Sequence, residues 1–220
     1  MLEKRAKIIY LSVGSNLGNR KKNIEGLEGL THLEKVDLFG TPVSEISPLY
    51  TLPRLLFLKL GYSSITAHEL CGIQGLPKLV ELELQNLPQL RSLHFISELP
   101  RLISLTVKDC VQITNVDGMR DLPKLRELSL LSCSALEQVD ALSQCHNLKL
   151  VDLSVRGVWE PDWNEYMRNP HSLQSLTGLL NLEQLEKVNL SNQTLVPEKQ
   201  IQQLIAKNIS VCLTGYKDPQ

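Results

Sequence analysis

Residues 99–107 read LPRLISLTV, and residues 76–84 and 122–130 read LPKLVELEL and LPKLRELSL. Each segment places leucine or valine at its first, fourth, seventh and ninth positions. The last three residues alternate apolar and polar, which on a strand turns the apolar ones to one side. The proline in second position fixes φ and removes a backbone donor, so the residues ahead of the strand form a turn. Working outward, the phrase recurs as Leu52, Leu55, Leu58, Leu60 and as Leu30, Leu33, Val36, Leu38 on one side. On the other side it recurs as Cys145, Leu148, Val151, Leu153 and as Leu182, Leu185, Val188, Leu190. The third anchors, from Val36 through Leu58, Leu82, Leu105, Leu128 and Val151 to Val188, lie 22, 24, 23, 23, 23 and 37 residues apart. Weaker copies at Ile9–Leu11 and Val211–Leu213 bring the number of turns to nine.

One such turn cannot bury its own apolar face, whereas stacked turns form one continuous core. The strands then pair in parallel along one side. A turn of 22–24 residues leaves room opposite for only short helical or extended segments. An apolar pair precedes each phrase: Ile46 and Leu49, Ile73 and Leu76, Ile96 and Leu99, Val116 and Met119, Val139 and Leu142. The expected class is α/β: a right-handed solenoid with a curved parallel β-sheet on its concave side and short helical or extended segments on its convex side.

The pattern resembles the leucine-rich-repeat family, and within it the short-repeat SDS22-like and internalin-like class with some Cys-type repeats. The stretch Ile46 to Leu55, ISPLYTLPRL, is closest to that class, and the resemblance covers roughly residues 7–213. It implies a binding protein more than an enzyme, and leaves the partner open. It also implies an asparagine three residues after the last strand leucine. This chain departs from that, carrying Thr41, Ser63, Leu87, Cys110, Cys133, Arg156 and Gln193 there. Leu87 and Arg156 make no amide ladder, so local irregularity is expected at those two turns.

The expected organisation is a single leucine-rich-repeat domain over 1–220. Residues 1–23 form a degenerate first turn and polar loop, 24–155 the regular repeats, 156–172 an insert, and 173–220 the last repeats and a C-terminal cap. The 37-residue step exceeds the 23-residue norm by about 14, and the excess holds both tryptophans. Residues 197–206 read as an amphipathic helix with Pro197 in its first turn.

Composition narrows the function classes. Of the 220 residues, 42% are hydrophobic, and 23 Lys+Arg stand against 24 Asp+Glu. A net charge of −1 argues against nucleic-acid binding through bulk charge. No apolar run approaches the roughly 18 residues needed to cross a bilayer, so no membrane partner is expected. Five scattered cysteines without CxxC spacing suggest reduced thiols and an intracellular, cytoplasmic or nuclear setting. No phosphate loop, zinc-ligand spacing or catalytic constellation is present. The reading is therefore no enzyme, no cofactor and no metal.

If the anchors face inward, the residues between them form the concave binding face. Its aromatics Tyr10, Phe39 and Phe57, with nearby Tyr62, are candidate anchors for a protein partner. Glu81 and Glu83 are candidate acidic contacts. Trp159, Trp163 and Tyr166 in the insert are candidate flanking contacts. The leading functional expectation is a protein-interaction scaffold or adaptor. The alternatives are a regulatory subunit of a phosphatase-type enzyme, or a nucleic-acid-associated subunit using a basic edge stripe of Arg54, Lys78, Arg101 and Lys124.

Overall fold

The computed structural model describes residues 9–13, 24–120, 122–155, 172–193 and 195–213. The nine strands are β1 (Tyr10–Ser12), β2 (Lys35–Phe39), β3 (Phe57–Gly61), β4 (Glu81–Gln85), β5 (Ser104–Lys108), β6 (Glu127–Leu131), β7 (Leu150–Asp152), β8 (Lys187–Asn189) and β9 (Ser210–Cys212). They form one sheet in which every strand pairs in parallel with the next in sequence.

The register is the repeat itself. Leu11, Val36, Leu58, Leu82, Leu105, Leu128, Val151, Val188 and Val211 are successive partners across the sheet. The seven inner members are at most 3% exposed. Leu11 and Val211, at the two ends, are half-buried, and among the described residues each has a strand neighbour on one side only. A second buried row, Leu38, Leu60, Leu84, Val107, Leu130, Leu153 and Leu190, lies two residues further along.

The return paths are mostly 3-10 turns: Ser47–Thr51, Cys71–Gly75, His94–Ile96, Asp117–Met119, Asp140–Gln144 and Thr177–Leu179. Apolar residues at every third position suit a helix of three residues per turn, since they fall on one face. Each segment is preceded by a buried residue: Ile46, Leu70, Leu93, Val116, Val139 and Leu176. This corrects the sequence alignment at two turns. The equivalents of Ile46 and Val116 are Leu70 and Leu93, not Ile73 and Ile96, which match Leu49 and Met119 instead. A three-residue period lets the phrase slide by one turn and still fit. The prolines of the Leu-Pro phrase begin a turn ahead of their strands, as at Pro53–Arg54 and Pro100–Arg101.

A short α1 (Ala67–Leu70) occupies one convex segment, and Glu69 and Thr66 form a capping box at its start. At the far end, α2 (Glu198–Ala206) buries Ile201 and Leu204 and leads into β9. Pro197 is its N-cap, one position earlier than the first-turn placement expected from sequence.

Backbone register is kept on both sides of the 37-residue step. Val155 N–H donates to Ser191 O at 3.0 Å, and Asn192 Nδ2 donates to Val155 O at 2.7 Å. On the other side of the step the Ser172 hydroxyl donates to Ser134 O and Leu136 O, and Gln174 N–H meets Glu137 O at 2.9 Å. Arg156 and the insert residues Trp159, Trp163 and Tyr166 lie outside the described residues. Among the described residues no helix is long and apolar enough to cross a membrane.

Candidate functional site

The outward side chains of the strands form three rows over the concave face. The first runs Tyr10, Lys35, Phe57, Glu81, Ser104, Glu127, Leu150, Lys187, Ser210. The second runs Ser12, Asp37, Lys59, Glu83, Thr106, Ser129, Asp152, Asn189, Cys212. The third, over the five-residue strands, runs Phe39, Gly61, Gln85, Lys108, Leu131. Parallel pairing in register fixes these columns.

The N-terminal part brings several candidates together. Phe39 and Tyr62 meet edge to face, with ring centroids 5.1 Å apart at 83°. Lys59 Nζ sits 5.1 Å from the Phe39 ring centroid and donates to Glu83 Oε2 at 2.8 Å. The Glu83 hydrogen bond, opposed by partial burial and helped by the nearby carboxylates, holds the Lys59 ammonium above the usual lysine pKa. Gly61 makes room for the Phe39 ring, since a Cβ there would lie 3.1 Å from Phe39 Cδ2 and 2.8 Å from Gln85 O. Asp37 Oδ1 accepts the Phe39 N–H at 2.9 Å and fixes the strand end beneath the ring. The product is a fixed aromatic platform with one cation and one anion at its edge.

Tyr10 is 54% exposed and Tyr62 49% exposed, whereas Phe39 and Phe57 are half-buried. Phe57 and Glu81 are not in the Phe39–Tyr62 cluster; they pair with one another in the first row. The residue that ties the cluster together is Lys59, which was legible only as one more outward lysine.

Further along the face a hollow of about 280 Å³ opens over the small side chains Ser104, Thr106 and Ser129. Glu127, Leu150, Asp152, Lys187 and Asn189 wall it. Asp152 is held in place by Ser154 N–H and Asn189 Nδ2. Leu150, 40% exposed, is an apolar side chain open to solvent on this half of the face. Among the described residues no group of three or more His, Cys, Asp or Glu is placed to hold a metal.

No known protein-family profile matches the chain, and no curated protein matches its sequence. Solved structures match its course in space. Internalin C2 from Listeria monocytogenes superposes with a TM-score of 0.67 at 22% identity, over 94% of this chain and 81% of its own. Human 5T4, the trophoblast glycoprotein, superposes with a TM-score of 0.59 at 22% identity, over 84% and 70%. TLR13, solved in complex with the RNA ssRNA13, superposes with a TM-score of 0.60 at 16% identity, over 96% of this chain and 33% of its own. With nine parallel strands stacked at one per repeat, the architecture is settled.

The fold is a leucine-rich-repeat solenoid.

Within the leucine-rich-repeat frame, the position that usually holds asparagine still bonds to the preceding turn at Thr41, Cys133 and Gln193, whereas the buried Ser63 hydroxyl has no partner among the described residues. Thr41 Oγ1 donates to Val13 O at 2.8 Å and Gln193 Nε2 to Leu153 O at 2.6 Å. Cys133 Sγ makes a longer contact to Val107 O at 3.8 Å. The expected irregularity at Leu87 is absent: Asn86 N–H meets Lys108 O at 2.8 Å, as in the other repeats. Leu87 itself is fully buried, and the Cys110 thiol of the next turn meets the backbone at Leu87 and Asn86.

The residue before that position was missed at sequence level. It takes a left-handed backbone in repeat after repeat: Gly40 (φ 69), Tyr62 (φ 53), Asn86 (φ 48), Asp109 (φ 54), Ser132 (φ 54) and Asn192 (φ 63). Its N–H donates to the end of the next strand, as from Gly40 to Gly61 O and Tyr62 to Gln85 O. The column of Gly, Asn and Asp was the available signal, because these residues tolerate that conformation. Tyr62 is the bulky exception.

The cysteines divide by position in the leucine-rich repeat. Cys110, Cys133 and Cys145 are buried, Cys71 is exposed, and none of the five is in a disulfide. Burial pushes the Cys110 thiol up to about 12 and raises Cys133 as well. Iodoacetamide at pH 8 should therefore modify Cys71 first and leave Cys110, Cys133 and Cys145 untouched until the chain is denatured. Mass spectrometry reads the sites; rapid native labelling of Cys110 would contradict the stacking. The raised pKa means the folded state retains the Cys110 proton longer than the unfolded chain. That contribution to stability is complete below about 9 and is lost as pH rises toward about 12.

Proposed function

We propose that this chain is a protein-interaction scaffold or adaptor that seats a partner protein on its concave face. The observation that carries the reading is Tyr62. Its repeat spends a left-handed position on a large exposed aromatic, where other repeats use Gly, Asn, Asp or Ser. Strain of that kind marks functional positions. Here it sets Tyr62 against Phe39 at the edge of the sheet. Tyr10 and Phe57 extend the anchor surface and Glu81 and Glu83 supply acidic contacts; Trp159, Trp163 and Tyr166, outside the described residues, are kept as candidate flanking contacts. A rigid, preformed face lowers the ordering cost of binding. Five cysteines outside any disulfide support an intracellular setting.

The test is affinity capture from the native source with the wild-type chain, followed by titration of the captured partner. Replacing Phe39 and Phe57 together with alanine should weaken binding at least tenfold while leaving the unfolding temperature within a few degrees of wild type. Unchanged affinity would reject this face. The identity of the partner, read by mass spectrometry, separates a general adaptor from a regulatory subunit bound to an enzyme.

A further inference from the structure

A second surface lies on the rim where the strands begin, outside the concave rows. The residues just before β2 to β6 form a stacked column: Glu34, Leu56, Val80, Ile103, then Arg126. Its backbone is fully engaged, with Val80 N–H on Leu56 O at 2.8 Å, Ile103 N–H on Val80 O at 2.8 Å and Arg126 N–H on Ile103 O at 2.9 Å. The rim therefore offers no free strand edge, and a ligand must be recognised through side chains. Leu56 is 36% exposed, and Val80 and Ile103 are half-buried.

Two residues ahead of this column stand the exposed cations Arg54, Lys78, Arg101 and Lys124. None of these four, nor Arg126, is paired with a carboxylate among the described residues. In a chain of net charge −1, five cations with no carboxylate partner among the described residues thus line an apolar column. Two acids border this surface, Glu34 at the end of the column next to Leu56 and the exposed Glu98 three residues before Arg101, whereas Glu81 and Glu127 belong to the concave row.

The spacing selects the occupant. Parallel strands repeat every 4.8 Å or so. An α-helix laid across them presents one side-chain ridge every ~5.4 Å and is about 10 Å wide, enough to cover both columns. An extended peptide repeats its same-face side chains every ~6.7 Å and falls out of step. A nucleic-acid strand would set phosphates on the cations but leave Leu56, Val80 and Ile103 against a charged backbone. We infer that this rim docks an acidic amphipathic helix of a partner protein, its apolar stripe on Leu56, Val80 and Ile103 and its carboxylates on Arg54, Lys78 and Arg101.

The probe is a 15-residue helical peptide with leucine at i, i+3, i+4 and i+7 and glutamate along one flank. Comparison probes replace its glutamates by lysine or its leucines by serine, and a fourth is a 12-nucleotide single-stranded RNA. Fluorescence anisotropy should show saturable binding of the acidic leucine peptide alone, weakening as salt rises. The pair Lys78→Glu and Arg101→Glu should lower its affinity at least tenfold, and Leu56→Ser several-fold, with melting temperature unchanged. Phe39→Ala should leave it unaltered, which keeps the result independent of the concave site. Absence of binding, equal binding of the lysine or serine peptide, tighter binding of the RNA, or indifference to the Lys78 and Arg101 substitutions would each overturn the inference.

Discussion

Replacing Leu105 with alanine is expected to lower the stability of the chain by about 3 kcal/mol, a large part of what a domain of this size has. Leu105 is fully buried at the centre of the inward row, between Leu82 and Leu128. Truncation removes its transfer energy and leaves a cavity that the turns above and below cannot close, because their own backbones are locked in the ladder. Thr106 on the same strand faces the concave surface, and Thr106→Ala should change stability by less than about 0.5 kcal/mol. Urea unfolding of the two variants is the measurement. Similar losses from both would mean that the strand does not alternate in and out.

Gly178→Ala should have an effect of comparable size for the opposite reason. A Cβ on Gly178 would sit 2.0 Å from Val139 O and 2.8 Å from Asp140 Cα, atoms of the preceding turn's backbone. Neither has a flexible end that can move aside, so the convex turns must part, at a cost of about 2–3 kcal/mol. Gly118 holds the equivalent place two turns earlier, where a Cβ would lie 2.3 Å from Leu93 O. Gly75 is the control. The nearest atom to a Cβ there is Tyr50 O at 3.8 Å, so Gly75→Ala should be neutral or slightly stabilising through the unfolded state. Thermal unfolding distinguishes the two glycines, and equal behaviour would contradict the close packing of convex turns.

The sheet was legible because its signal is long-period and redundant. A leucine or valine recurring every 22–24 residues over six repeats, with an apolar partner two residues on, permits one arrangement in which all copies share an interior. The convex side was less legible. With an apolar residue at every third position, Ile73 and Ile96 fit the phrase as well as Leu70 and Leu93 do, and only the stacking decides. The left-handed column from Gly40 to Asn192 was invisible to a search for apolar spacing, since its rule concerns φ and not hydrophobicity.

The candidate site was legible in part. Alternation sufficed to place Tyr10, Phe39, Phe57, Glu81 and Glu83 on one face. It could not show that Lys59 bridges the Phe39 ring and the Glu83 carboxylate, because that contact spans three strands. Nor could it reveal the hollow over Ser104, Thr106 and Ser129, which depends on what is small in three adjacent repeats at once. The rim column of Leu56, Val80 and Ile103 lies two residues ahead of the inward anchors Leu58, Leu82 and Leu105, so alternation assigns it to the core, whereas Leu56 is exposed and Val80 and Ile103 are only half-buried.

The most direct test of the proposed binding face is hydroxyl-radical footprinting of the chain, free and bound to the partner it captures. Oxidation of Tyr10, Phe39, Phe57 and Tyr62 should fall together on binding, while Tyr50 on the convex side stays as reactive as before. Protection of Tyr50 with the four concave rings unchanged would contradict the assignment of the binding face.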